Sequence, residues 1–103
     1  MQRHPDRVES VIATLRAHEA QLRRAGIRRL SLFGSVARGQ ALADSDIDLA
    51  VELDPTMTVG LFRLTALERR LSEILGCRVD LIPEPVEGPR LQRNIDRDRR
   101  RAF

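Results

Sequence analysis

Between Asp46 and Leu53 the sequence alternates strictly. Ile47, Leu49, Val51 and Leu53 occupy every second position, with Asp46, Asp48, Ala50 and Glu52 between them. Alternation at period two sends the two sets to opposite faces of a strand, one apolar and one acidic. The apolar face has to be covered, and the rest of the chain supplies cover at helical period. Val8, Val11, Ile12, Leu15 and Leu22 predict a helix over residues 6–25, capped by Asp6, closed by Gly26 and carrying a Glu19–Arg23 pair on its surface. Leu61, Leu64, Leu67, Leu71, Ile74 and Leu75 predict a second, opened by Asp54-Pro55 and closed by Gly76. Residues 27–33 read as a strand with apolar groups on both faces, hence central in a sheet, and residues 78–82 as a short strand. Pro83, Pro85 and Pro89 suggest a rigid linker before a final helix or tail over residues 90–103. The expected fold is α/β (α+β): one domain, a small mixed sheet with helices packed on its apolar face.

Composition narrows the function. Three Phe are the only aromatics, so the core is aliphatic and base-stacking platforms are scarce, which counts against a single-strand nucleic-acid binder. The net charge is +3 and every basic residue is Arg. Arg93, Arg97, Arg99, Arg100 and Arg101 are interleaved with Asp96 and Asp98, which favours a solvated helix over a nucleic-acid stripe. Cys77 is alone, so no intrachain disulfide forms. No apolar run approaches a membrane span, and the polar beginning of the chain is unlike a secretory leader. These features suit the cytoplasm. His18 and His4 have no neighbouring ligand set and read as ordinary surface or half-buried residues.

Three pieces carry chemistry. Gly34-Ser35-Val36-Ala37-Arg38-Gly39 follows the first strand. Gly34 permits close backbone approach, Ser35 offers a hydroxyl and a helix N-cap, and Arg38 a positive charge one turn on. Alone, this is as well read as a plain strand-to-helix turn. Asp46 and Asp48 share a strand face about 6–7 Å apart; they repel unless a cation lies between them, and hard oxygens suit Mg²⁺. Their alternative is an acidic solvent face. If Val79 and Leu81 join the core beside Ile47 and Leu49, Asp80 emerges among the carboxylates; its alternative is an edge-strand charge. Glu52 lies roughly 13 Å from Asp48 along the strand, too far to share an ion pair of metals.

Together, Gly34-Ser35-x-x-Arg38-Gly39, then Ser45-Asp46-x-Asp48-Leu49, then Asp80 on a later strand resemble the DNA polymerase beta-like nucleotidyltransferase superfamily, specifically its minimal (MNT-domain) branch of MntA-type antitoxins. The resemblance implies a polymerase-beta palm-like fold. It implies that Gly34, Ser35, Ser45 and Arg38 serve the nucleotide, with Arg38 contacting phosphate or bracing the loop. It implies that Asp46, Asp48 and Asp80 are the catalytic carboxylates and hold two Mg²⁺ ions. By the same resemblance the substrate is ATP, and AMP passes to a hydroxyl, a tyrosine in some members, of a partner HEPN-family toxin. About twenty residues follow the last expected strand, too few to enclose a large acceptor, so the partner is expected to bring its own hydroxyl. The alternative from a different class is an antitoxin that neutralises its toxin by contact alone. A homodimer through the leucine stripe is a secondary use of that helix.

Overall fold

The computed structural model describes residues 7–40, 46–56 and 60–103, with the Leu61 side chain left aside. Asp6, Ser45 and His4, named above, lie outside the described residues. The order is α1 (Arg7–Ala17), α2 (Glu19–Arg24), β1 (Ile27–Phe33), α3 (Gly34–Ala37), β2 (Ile47–Leu53), α4 (Leu61–Leu75), β3 (Val79–Pro83), α5 (Pro89–Asp98) and β4 (Arg100–Arg101). The strands form one mixed sheet in the order β3-β2-β1-β4. β1 and β2 pair antiparallel, and β2 and β3 pair parallel across the α4 crossover. Parallel neighbours need such a crossover, and the leucine-striped helix supplies it.

The alternation in β2 sorts the sheet into two faces as expected. Ile47, Leu49 and Val51 are buried with Leu30 and Leu32 of β1 and Val79 and Leu81 of β3. Against that face lie Val8, Val11, Ile12, Leu15 and Leu22 of α1 and α2, and Leu67 and Leu71 of α4. The leucine stripe is thus committed to the core; among its described side chains, Leu64, Ile74 and Leu75 also pack on it. Gly76 ends α4 in the left-handed region, at φ 70°.

Several local expectations are corrected. The first helix is interrupted at His18: its amide bonds the Leu15 carbonyl, and its ring Nδ1 lies 2.9 Å from the Thr14 carbonyl, which places the proton on Nδ1. A side chain competing for a helical carbonyl tightens the turn there. Asp54-Pro55 does not open α4; Asp54 instead accepts bonds from the Thr56 amide and hydroxyl, and the helix starts after Gly60. Pro89 is no linker residue but the first position of α5, where its missing N–H costs nothing. Among the described residues no helix is long and apolar enough to cross a membrane.

The largest correction concerns residues 90–103. The helix ends at Asp98, and Arg100 and Arg101 pair antiparallel with Leu32 and Ser31 as a fourth strand. The Leu30 amide donates to the Phe103 carbonyl at 3.1 Å, and Ala102 and Phe103 are buried in the main core. Nor are all helices on one face. α5 lies over the acidic face, where Ile95, fully buried, meets Phe33 and Ala50. Arg99 anchors it there, donating to both Glu84 oxygens at 2.9 and 2.6 Å, to Asp96 at 2.8 Å and to the buried Ser31 hydroxyl at 3.0 Å. Arg93, Arg97, Arg100 and Arg101 stay exposed, as expected, with Arg100 paired to Glu9 and Arg97 to Asp98, whereas Arg99 is drawn into the fold.

Ile95→Ala is expected to lower unfolding stability by about 2–5 kcal/mol, because it opens a cavity under α5. Leu91→Ala on the exposed side of the same helix should change it by about 0.5 kcal/mol or less. Urea denaturation of the two variants checks the contrast.

Candidate active site

The site is assembled at one end of β1 and β2. β1 delivers the chain into α3, a single turn closed by Arg38 N–H to the Gly34 carbonyl at 3.1 Å and Gly39 N–H to Val36 at 2.9 Å. Val36 and Ala37 are buried in the main core and plug this turn into the body of the molecule. Ser35 is not the N-cap: the turn opens at Gly34, with extended Phe33, two residues before Ser35, in the capping position, and Ser35 sits half-buried within the turn.

Gly34 is required twice over. Its φ is +80°, where a side chain is strained. A Cβ there would also collide with the Asp48 carboxylate, since Phe33 and Asp48 are partners in the antiparallel β1–β2 register. The backbone of the turn therefore lies directly against an acidic side chain.

β3 brings the third carboxylate. The parallel register pairs Ile47 with Val79, Asp48 with Asp80 and Leu49 with Leu81. Asp80 is exposed on the acidic face, not turned inward, while Asp48 is half-buried and Asp46 exposed just before β2. Desolvation is the largest influence on Asp48, and with the charges of Asp80 and Asp46 it pushes the carboxyl above its ordinary range; Arg38 opposes this from the other side. Arg78 approaches Asp46 at 4.0 Å, with both side chains largely in solvent. Glu52, as expected, stands apart and pairs with Arg29 at 2.8 Å.

Arg38 is braced. Its Nη1 donates to Asp98 at 2.6 Å and its Nε to Gln40 at 3.0 Å, while 39% of its side chain remains exposed. Asp98 was read from sequence only as a neutraliser of the Arg-rich segment. Its role in holding Arg38 has one faint sequence signal: it lies three residues after Ile95, hence on the buried face of α5.

Among the described residues no three His, Cys, Asp or Glu side chains close into a ready-made metal cage. Mg²⁺ does not need one, because it keeps waters and takes substrate phosphates as ligands. The donor set fits it: three hard carboxylates, one of them disfavoured as an anion by the other two and by burial.

Two stability outcomes follow. Gly34→Ala should cost at least about 1–2 kcal/mol from the left-handed backbone alone, read by chemical denaturation. Asp48 has a raised folded-state pKa, so its contribution to stability is full below its unfolded value and is lost as pH rises through the folded one. Metal-free Asp48→Asn should therefore melt no lower than the parent at pH 7. Any advantage should shrink as pH falls through the raised folded-state pKa towards about 4 and vanish well below it, where both proteins are neutral at that position.

Known proteins resemble the chain over most of its length. The family model of the nucleotidyltransferase domain matches residues 15–102. The chain is 40% identical over 76 residues to the protein adenylyltransferase MntA of Thermococcus cleftensis, covering 73% of this chain and 75% of that protein. A solved structure described as a candidate minimal nucleotidyltransferase is 36% identical, with a TM-score of 0.73 over 90% of this chain and 93% of that one. A complex of a tri-AMPylated Shewanella oneidensis HEPN toxin with its MNT antitoxin shares the fold, with a TM-score of 0.65 at 20% identity over 90% of this chain and 71% of that one. With the turn, the paired carboxylates and the match over most of its length, the chain belongs to the nucleotidyltransferase domain family and is a nucleotidyltransferase of the minimal type.

Proposed function

We propose that this chain, acting as a single catalytic domain, uses Mg²⁺ to transfer AMP from ATP to a hydroxyl, in the simplest case a tyrosine, of a partner HEPN-type toxin, and thereby serves as its antitoxin. The observation that carries the reading is the register of Asp48 beside Asp80, with the Gly34 backbone pressed against Asp48. The choice of AMP and of a protein acceptor is supported by the relative named protein adenylyltransferase and by the fold shared with an antitoxin bound to an AMPylated toxin.

The chain's own residues divide the work. The Gly34–Ser35 turn receives the triphosphate through its backbone amides and the Ser35 hydroxyl, while the missing Cβ of Gly34 leaves room for the Asp48 carboxylate beside it. Arg38 supplies a forked positive charge beside it. Ser45, next to Asp46 in sequence, is proposed to contact the nucleotide. Asp46, Asp48 and Asp80 hold the metal. When bound, Mg²⁺ would lower the pKa of the attacking hydroxyl and offset the charge of the departing pyrophosphate. The acceptor oxygen bonds to the α-phosphorus as the bond to the bridging oxygen breaks. Pyrophosphate leaves, and the hydroxyl proton passes to the Asp80 carboxylate, which faces solvent where an acceptor would arrive. Position and charge supply the acceleration, with no covalent enzyme intermediate.

Incubation with Mg²⁺, labelled ATP and the candidate toxin should give labelled toxin. Asp48→Asn or Asp80→Asn should reduce the rate at least about a hundredfold while leaving the protein folded. Equal labelling by parent and variants would sink the assignment. A double Asp46→Asn, Asp48→Asn variant that still protects cells from the toxin would instead favour neutralisation by contact.

A further inference from the structure

The acidic face carries a feature that the transfer chemistry alone does not require: a carboxylate from the far end of the sequence gripping the site's arginine. Asp98 is the last residue of α5, and its side chain is only 6% exposed. One oxygen accepts from Arg38 at 2.6 Å, and both oxygens face Arg97, at 3.1 and 3.4 Å. Arg97 foremost, with Arg38, holds the Asp98 carboxyl below its usual range, so it stays ionised at neutral pH. α5 itself is fixed to the sheet by Ile95 and by the Arg99–Glu84 fork, so the oxygen presented to Arg38 has a fixed place.

Arg38 needs such a restraint. Its charge already reaches Asp48. Before nucleotide binds, an unheld guanidinium would be drawn toward the Asp48 carboxylate and compete there with a cation. Held by Asp98 on one side and Gln40 on the other, it keeps its charge near the Gly34 turn without collapsing onto the acidic group. We propose that Asp98 is a positioning residue of the nucleotide site, holding the Arg38 guanidinium in its phosphate-facing pose and off the metal-binding carboxylates. This rests on the reading of Arg38 as the cation that meets the nucleotide.

A different sign is expected if Asp98 merely neutralises its surroundings. Removing its charge would then raise the local positive potential and tighten nucleotide binding. If it positions Arg38, removal weakens binding and raises the Mg²⁺ requirement, and both effects pass through Arg38.

Calorimetric titration of MgATP into the full chain separates these cases. Asp98→Asn should weaken binding about three- to tenfold and raise the Mg²⁺ concentration for half-saturation, at unchanged circular dichroism. Asp98→Glu should restore both to within about twofold, since it keeps the charge-assisted bond. On an Arg38→Gln background, Asp98→Asn should add less than about twofold. Asp98→Ser is measured alongside, so that one misfolded variant does not decide the outcome. Unchanged or tighter binding in Asp98→Asn, or an equal loss without Arg38, overturns the proposal. Unfolding of both Asn and Ser variants assigns Asp98 to stability and overturns it as well. Failure of the parent chain to bind MgATP is the separate result that removes the nucleotide-site reading itself.

Discussion

Two negative charges held side by side by strand register are the constraint around which this molecule is arranged. In a parallel pair, neighbouring strands lie about 4.8 Å apart, and Asp48 and Asp80 are partners across that gap. A one-residue slip of the sheet offers no relief from the repulsion. A shift of β3 by one residue would drag Val79 and Leu81 out of the core, and the loss of two buried aliphatic side chains outweighs the repulsion of two partly solvated carboxylates. Hydrophobic register thus enforces an electrostatic arrangement that is unfavourable until a cation arrives. The same logic places Gly34 against Asp48, because the β1–β2 register brings the Asp48 side chain to where a Cβ of residue 34 would stand.

What sequence could show follows from this. The period-two pattern of β2 and the Val79-Asp80-Leu81 triplet point Asp80 to the carboxylate face, since a buried face fixes which side chains share a side, though not where along the strand they pair. The Gly34–Gly39 turn and the leucine stripe of α4 were equally plain, as spacing alone identifies both. The break at His18 was hidden because its cause is a ring nitrogen reaching the Thr14 carbonyl, a choice of rotamer without any pattern. The start of α4 was misplaced because Asp54-Pro55 satisfies the rules for a helix opening and for an Asx turn alike.

The segment from Pro89 onward was the least readable, for a physical reason. Its one fully buried apolar helix residue, Ile95, is too little to give a helical stripe, and its hold on the sheet comes from paired charges instead. Arg99 gathers Asp96, three residues before it, with Glu84 and Ser31, 15 and 68 positions away, into a satisfied polar cluster. Charge pairs of this kind have no period, and an Arg-rich run reads as solvent-facing until its partners are known. Asp98 belongs to the same category: its meaning lies in Arg38, sixty positions earlier.

This dispersion has a thermodynamic consequence. The groups that would touch a nucleotide come from β1's end, β2, β3 and, through Arg38, the last turn of α5; none of them is in place in an unfolded chain. Any ligand bridging them binds the native state alone, so its binding free energy adds to the folding free energy by mass action. For a domain of this size, whose intrinsic margin is narrow, the nucleotide of the proposed reaction would then act as a folding effector as well as a substrate. At a ligand concentration one hundred times the dissociation constant that contribution is about 2.7 kcal/mol, a sizeable fraction of what holds a small domain together.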